Sequence, residues 1–288
     1  MNRRIYYFIY TAVIIAITIA VIWCLLFYLS QPPLSELHPT VQLLLKVVGV
    51  LLLSALVAVG ARLTRSTLGF SIRGQSGKPA FFSLLFVACN LPFTLGMILI
   101  PLSPQLRTLR VLWRRLSRPQ RIVCFCALVV STVLTALILT LAPATLPGYW
   151  LIGLTFPLLT EMLFRGFFWD KAKGKFQRGV VVGRFYLPGL VLVTALLYVV
   201  WSIPFWIVIE GADWRGLALQ ILFAFVGGLF YGFARERTAS LHAPLLLHQL
   251  VRIHPLGWLA SLALAVYLFF LPEKGETPYN RGRIIRYR

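Results

Sequence analysis

A chain of 288 residues that is 59% hydrophobic and 12% charged, with a mean hydropathy of +0.83, is too apolar for a water-soluble globular domain. Its 28 Lys and Arg against 8 Asp and Glu give a formal net charge of +20, but the basic residues crowd the short connections between apolar runs, which argues for membrane topology and against nucleic acid as a partner. Cys24, Cys89, Cys124 and Cys126 all fall in apolar segments without zinc-site company, which argues against a secreted disulfide framework.

Runs of roughly 17–25 apolar residues, long enough to cross about 30 Å of hydrocarbon, recur along the chain. They predict membrane helices at 5–29, 41–60, 79–102, 122–143, 147–168, 187–209 and 216–234, and a final pair at 239–253 and 255–271. The first run is too long for a cleaved signal peptide and no small-residue cleavage site follows it, so it is expected to stay as an anchor. Arg3 and Arg4 precede it; Arg62, Arg65, Arg73 and Lys78 follow the second run; Lys171, Lys173, Lys175, Arg178 and Arg184 follow the fifth; Arg235 and Arg237 follow the seventh. The connections at 30–40 and 144–147 carry no Lys or Arg, so the positive-inside rule predicts that both termini are cytoplasmic.

One segment breaks this alternation. Arg107, Arg110, Arg114, Arg115, Arg118 and Arg121 follow the third run, although the connection before it is also basic. Either 79–102 re-enters at the break Asn90-Leu91-Pro92, or it spans and leaves one basic loop outside. The stretch 103–121 also suits a basic amphipathic helix on an anionic leaflet. The expected architecture is an all-α, polytopic membrane bundle of about eight segments. It divides into an N-terminal transmembrane region (1–146), a membrane core (147–271) and a basic cytoplasmic tail (272–288). Loops weighted toward arginine and the lack of a transit signal predict a bacterial inner membrane.

Chemistry is expected where ionisable residues sit inside these runs. Glu161 lies well inside the fifth, and an acidic residue at bilayer depth costs roughly 2.5–3.5 kcal/mol on insertion scales. Arg165 stands one helical turn away on the same face. The pair is either a structural clamp or a carboxylate that activates water, with its counter-ion. His248 lies in another apolar run and must hydrogen-bond there. His242 and His254 have no histidine or acid at helical spacing, so a helical zinc motif is absent.

Glu161-x-x-x-Arg165-Gly166, a later aromatic-rich helix, and Arg237-Thr238-x-Ser240-Leu241-x-x-Pro244-x-x-x-His248 together resemble the CPBP (Abi) family, over roughly residues 147–254. That family groups type II CAAX prenyl endopeptidases with bacteriocin-processing and bacteriocin-immunity proteins. Its pattern is Glu-Glu-x-x-x-Arg, Phe-x-x-x-His and His-x-x-x-Asn, in which the first Glu and the two His are implied to activate water and stabilise the oxyanion, with Asn assisting. Here Thr160 stands at the first Glu, Tyr198 opens the middle block with Ser202 at its His, and Arg252 stands at the Asn. A threonine hydroxyl has no useful basicity near neutral pH.

The resemblance therefore implies a helical membrane protein on a peptidase scaffold with hydrolysis lost or reduced. Its cavity, lined by Thr160, Arg165, Tyr198, Ser202 and Arg252, would bind a lipidated or hydrophobic peptide or a membrane protein partner, within membrane lipid. Two alternatives stand beside it. One is a working endopeptidase using Glu161 and His248; the other is a small transporter or channel lined by Glu161, Arg165, His248 and Arg252. No cofactor is expected, and a donor set of one His, one Thr and one Ser predicts no bound metal.

Overall fold

The computed structural model describes residues 9, 13, 16–21, 23, 24, 27, 28, 31, 32, 36–63, 66, 68–70, 75, 77–90, 106–141, 146–173, 176, 179–182, 185–204, 206, 207, 213–253 and 255–269. Within 5–29 every described residue is helical. In chain order there follow α1 (Pro39–Leu63), α2 (Gly77–Asn90), α3 (Leu106–Arg115), α4 (Arg118–Leu141) and α5 (Leu146–Glu161). A π-helical segment (Met162–Phe168) and α6 (Trp169–Ala172) continue α5; then come β1 (Val180–Val182), β2 (Phe185–Leu187), α7 (Gly189–Pro204), α8 (Trp214–Thr238), α9 (His242–Ile253) and α10 (Pro255–Phe269).

The protein is an integral membrane helical bundle. Three helical stretches among the described residues, Leu44–Leu63, Arg118–Leu137 and Trp214–Thr238, are long and apolar enough to cross a bilayer. Their outward faces carry exposed large apolar side chains such as Leu52, Phe125, Val130 and Phe223, which lipid rather than protein must cover. The all-α expectation needs one addition: β1 and β2 pair antiparallel, with Val180 opposite Leu187 and Val182 opposite Phe185. A valine triplet and an aromatic pair at two-residue separation favour a strand ribbon over a helix.

One expected run is described only in part and another is rearranged. The third is helical as α2 through Asn90; the Leu91-Pro92 break and the rest of that run lie outside the described residues, as do His254 and the tail 272–288. The basic stretch after it forms α3, where Leu112 and Leu116 are buried and Arg110, Arg114 and Arg115 are exposed. The final pair forms a helical hairpin. At 12 and 15 residues, its arms reach only about 18 and 22 Å, short of the roughly 30 Å core. One outer end meets the connection between α1 and α2, and the other meets the first turn of α2. The Leu241 N–H donates to the Gly69 carbonyl at 2.9 Å, and Lys78 Nζ donates to the Leu268 carbonyl at 3.1 Å. The hairpin therefore enters and leaves on one side. At its tip Gly257 packs on the Leu250 carbonyl, where a Cβ would have no room.

α9 is the centre of the bundle, buried from Leu241 to Gln249 and packed on α2, α5, α8 and α10. Polar side chains fasten it to its neighbours. Asn90 donates to Gln249 Oε1 at 2.9 Å, and Gln249 Nε2 donates to the Leu154 carbonyl at 3.0 Å. Both ring partners of His242 Nδ1, Ser83 and Ser240, stand at 2.9 Å. Without water to satisfy them, such groups must pair inside the protein.

α7 and α8 approach closely because Gly228 and Gly232 present no side chains. A Cβ on Gly228 would lie 2.9 Å from Ala195 Cα, and one on Gly232 would lie 2.9 Å from Val191 Cγ1. This four-residue spacing of small residues is a packing device of membrane helices. Gly228→Ala is therefore expected to destabilise the protein by about 1–3 kcal/mol through overpacking. Gly227→Ala, whose Cβ would meet Tyr231 at an ordinary 3.6 Å, should be tolerated. Thermal unfolding of the two variants in detergent checks the contrast, and equal stability would refute it.

Candidate functional site

Glu161 closes α5 and Arg165 sits inside the π segment; both are fully buried. Arg165 Nη1 donates to Glu161 Oε1 at 3.1 Å, and Nη2 donates to the Gly228 carbonyl at 2.9 Å. The close α7–α8 contact at Gly228 is what brings that carbonyl within reach. A π turn widens the helix and is common at functional sites. Here the Arg165 carbonyl accepts from Arg235 Nε on α8 at 2.9 Å, which ties the segment to a second helix.

His248 completes the cluster from α9. Its Nδ1 stands 2.9 Å from Glu161 Oε1 and its Nε2 stands 3.1 Å from the Tyr198 hydroxyl on α7. Facing a carboxylate, Nδ1 carries the proton and donates, so Nε2 accepts from the Tyr198 O–H. The ring also stacks on Tyr231 of α8, with centroids 4.7 Å apart and planes 14° from parallel. The same two tyrosines cradle the guanidinium, whose Cζ lies 5.2 Å from the Tyr198 centroid and 5.8 Å from that of Tyr231. Such cation–π contacts gain strength where water is excluded. Four helices thus converge on one acid, one cation and one imidazole inside an aromatic box.

The residues singled out in the sequence fall into three groups. Glu161, Arg165, His248 and Tyr198 form the cluster. The Thr160 hydroxyl instead donates along its own helix, to the carbonyls of Phe156 at 3.1 Å and Pro157 at 3.0 Å. Ser202 does the same, donating to the Tyr198 carbonyl at 2.9 Å. Both hydroxyls are buried and neither lines the neighbouring cavity; in apolar surroundings a hydroxyl is satisfied most cheaply by its own helix. Arg252, one helical turn beyond His248, is exposed near the hairpin tip, with its Cζ 5.8 Å from the Phe156 ring centroid. That cavity, of about 700 Å³, opens between α7, α8, α9 and α10 and reaches Tyr198, Tyr231, His248 and Arg252.

Tyr231, Gly228 and Arg235 belong to the site although sequence reading passed over them. The four-residue glycine spacing was the available signal for Gly228; nothing local marks Tyr231 among the other aromatics of α8. Among the described residues no group of three or more His, Cys, Asp or Glu side chains gathers at metal-binding distances.

The protein is thus a helical membrane bundle built around a buried carboxylate, guanidinium and imidazole. Residues 142–253 match the model of the type II CAAX prenyl endopeptidase Rce1-like family, so this stretch, under half of the chain, is an Rce1-like domain. No curated protein and no solved structure matches the chain.

Proposed function

We propose that this protein is a membrane-embedded binding protein on an intramembrane-peptidase scaffold, with hydrolysis lost or strongly reduced. The observation that carries this reading is the engagement of His248. Its Nδ1 is held by Glu161 and its Nε2 by Tyr198, which leaves no basic nitrogen to take a proton from water. Thr160 supplies no carboxylate, and its hydroxyl is spent on its own helix. The cavity beside the cluster suits the apolar chain of a lipidated or hydrophobic peptide, or of a membrane lipid. A membrane protein partner docking there is the other binding role. We place the protein in a bacterial inner membrane with both termini cytoplasmic, on the distribution of Lys and Arg.

One observation favours a working endopeptidase instead. An imidazole oriented by a carboxylate at 2.9 Å is the arrangement of an activated base, and it would act if Tyr198 moved aside. Offering purified protein a panel of prenylated and unprenylated peptides separates the two readings. The expected result is saturable binding with no cleavage product by mass spectrometry. Cleavage that disappears in His248→Ala would establish the endopeptidase and overturn the binding role.

A further inference from the structure

The cavity has features that narrow what fills it. Its volume of about 700 Å³ falls in the range of small-ligand sites. Phe223, Val226, Trp258 and Leu262 line it while being 64%, 55%, 55% and 61% exposed, so it opens sideways, toward the lipid phase. Its depth follows from helix register. Gln220, at one edge, lies about 9 Å along α8 from Trp214, whereas Arg235 is about 22 Å further on. The lining extends along α8 to Tyr231, about 6 Å short of Arg235, so the cavity crosses the middle of the membrane.

Arg252 stands in this cavity near the tip of the α9–α10 hairpin, and it carries the fixed charge of the lining, which contains no Asp or Glu. A guanidinium at membrane depth is costly and marks a functional site by default. Its planar fork of donors matches an oxyanion such as a phosphate. Aromatic and aliphatic walls below it match an acyl chain.

We propose that this cavity holds one acyl chain of an anionic bilayer lipid, with the lipid phosphate on the Arg252 guanidinium. The assignment rests on reading the cavity as a binding site, and it names the occupant. Entry is lateral, because the lining residues are themselves lipid-facing, and selection among lipids falls to the charge of the head group.

The test places the full chain in phosphatidylcholine vesicles doped with phosphatidylglycerol or phosphatidylcholine that carries a photoreactive diazirine on one acyl chain. The phosphatidylglycerol probe is expected to label α8 around Phe223–Tyr231 and α10 around Trp258–Leu262. Arg252→Gln should cut that labelling about tenfold, in line with the loss of one charged hydrogen bond, while Arg252→Lys retains most of it. Equal labelling by both probes, or labelling indifferent to Arg252→Gln, overturns the head-group assignment and leaves the binding cavity standing. Absence of label from the cavity with either probe overturns both. If a lipidated peptide probe labels the same segments and excess phosphatidylglycerol does not displace it, the occupant is a peptide and the lipid assignment falls.

Discussion

Arg165→Met is expected to cost about 3–5 kcal/mol of stability, the penalty for leaving a buried charge without its partner. Glu161 and Arg165 are both wholly buried and joined at 3.1 Å. Removing the guanidinium leaves the buried carboxylate without its cation, held by the His248 ring where water cannot reach it. It also leaves the Gly228 carbonyl without its donor and removes a cation that lies over two tyrosine rings. Adding Glu161→Gln should recover at least half of the loss, because a neutral amide oxygen still accepts from His248 Nδ1 while the charge is gone. Unfolding of the full chain in detergent measures both effects. A loss under about 1 kcal/mol for Arg165→Met, the range of exposed pairs, would show that the pair is not a clamp.

Cleavage should appear in a Thr160→Glu, Ser202→His double variant and in neither single one. A positioned general base contributes roughly 10²–10⁴-fold, and threonine cannot serve as one. Thr160 precedes Glu161 by one residue, so its side chain points about 100° away around the helix; Glu161 is therefore no substitute for a carboxylate at 160. Its Oε1 serves both Arg165 and His248, while Oε2 is buried without a hydrogen-bond partner. Tyr198→Phe, added as a third change, should raise the rate further by releasing His248 Nε2. The matched control is Thr160→Gln, Ser202→His, which has the size but not the base and should stay inactive. Mass spectrometry of prenylated peptides after incubation reads the outcome. Equal cleavage by the Glu and Gln forms would refute the assignment of position 160, and an inactive Glu form whose unfolding profile matches the parent would refute the scaffold reading.

Much of the bundle was legible along the chain because each signal is local. A run of apolar residues near the length of a bilayer must be helical in lipid, since only a helix pairs its backbone within one segment. The i, i+4 spacing of Glu161 and Arg165 already predicted their contact. The final pair of runs was legible as helices but not as a hairpin. That distinction depends on where the ends attach, and the Leu241–Gly69 and Lys78–Leu268 bonds join residues far apart in sequence.

The site was legible in part. Motif spacing marked Glu161 and His248, yet the contact that makes them one cluster joins residues 87 apart and no periodicity encodes it. Thr160 and Ser202 stand at the Glu and His positions of the family pattern, and only the fold turns their hydroxyls back on their own backbones. Composition and spacing by themselves determined a basic, polytopic helical membrane protein with an acid–cation pair in its fifth run. Tertiary structure alone decided that Gly228 would let two helices touch, and that Tyr198 and Tyr231 would box the imidazole and guanidinium. The physical reason is range. Helix formation and i, i+4 pairing are settled within a turn, whereas partners across helices are chosen by packing, which no single segment contains.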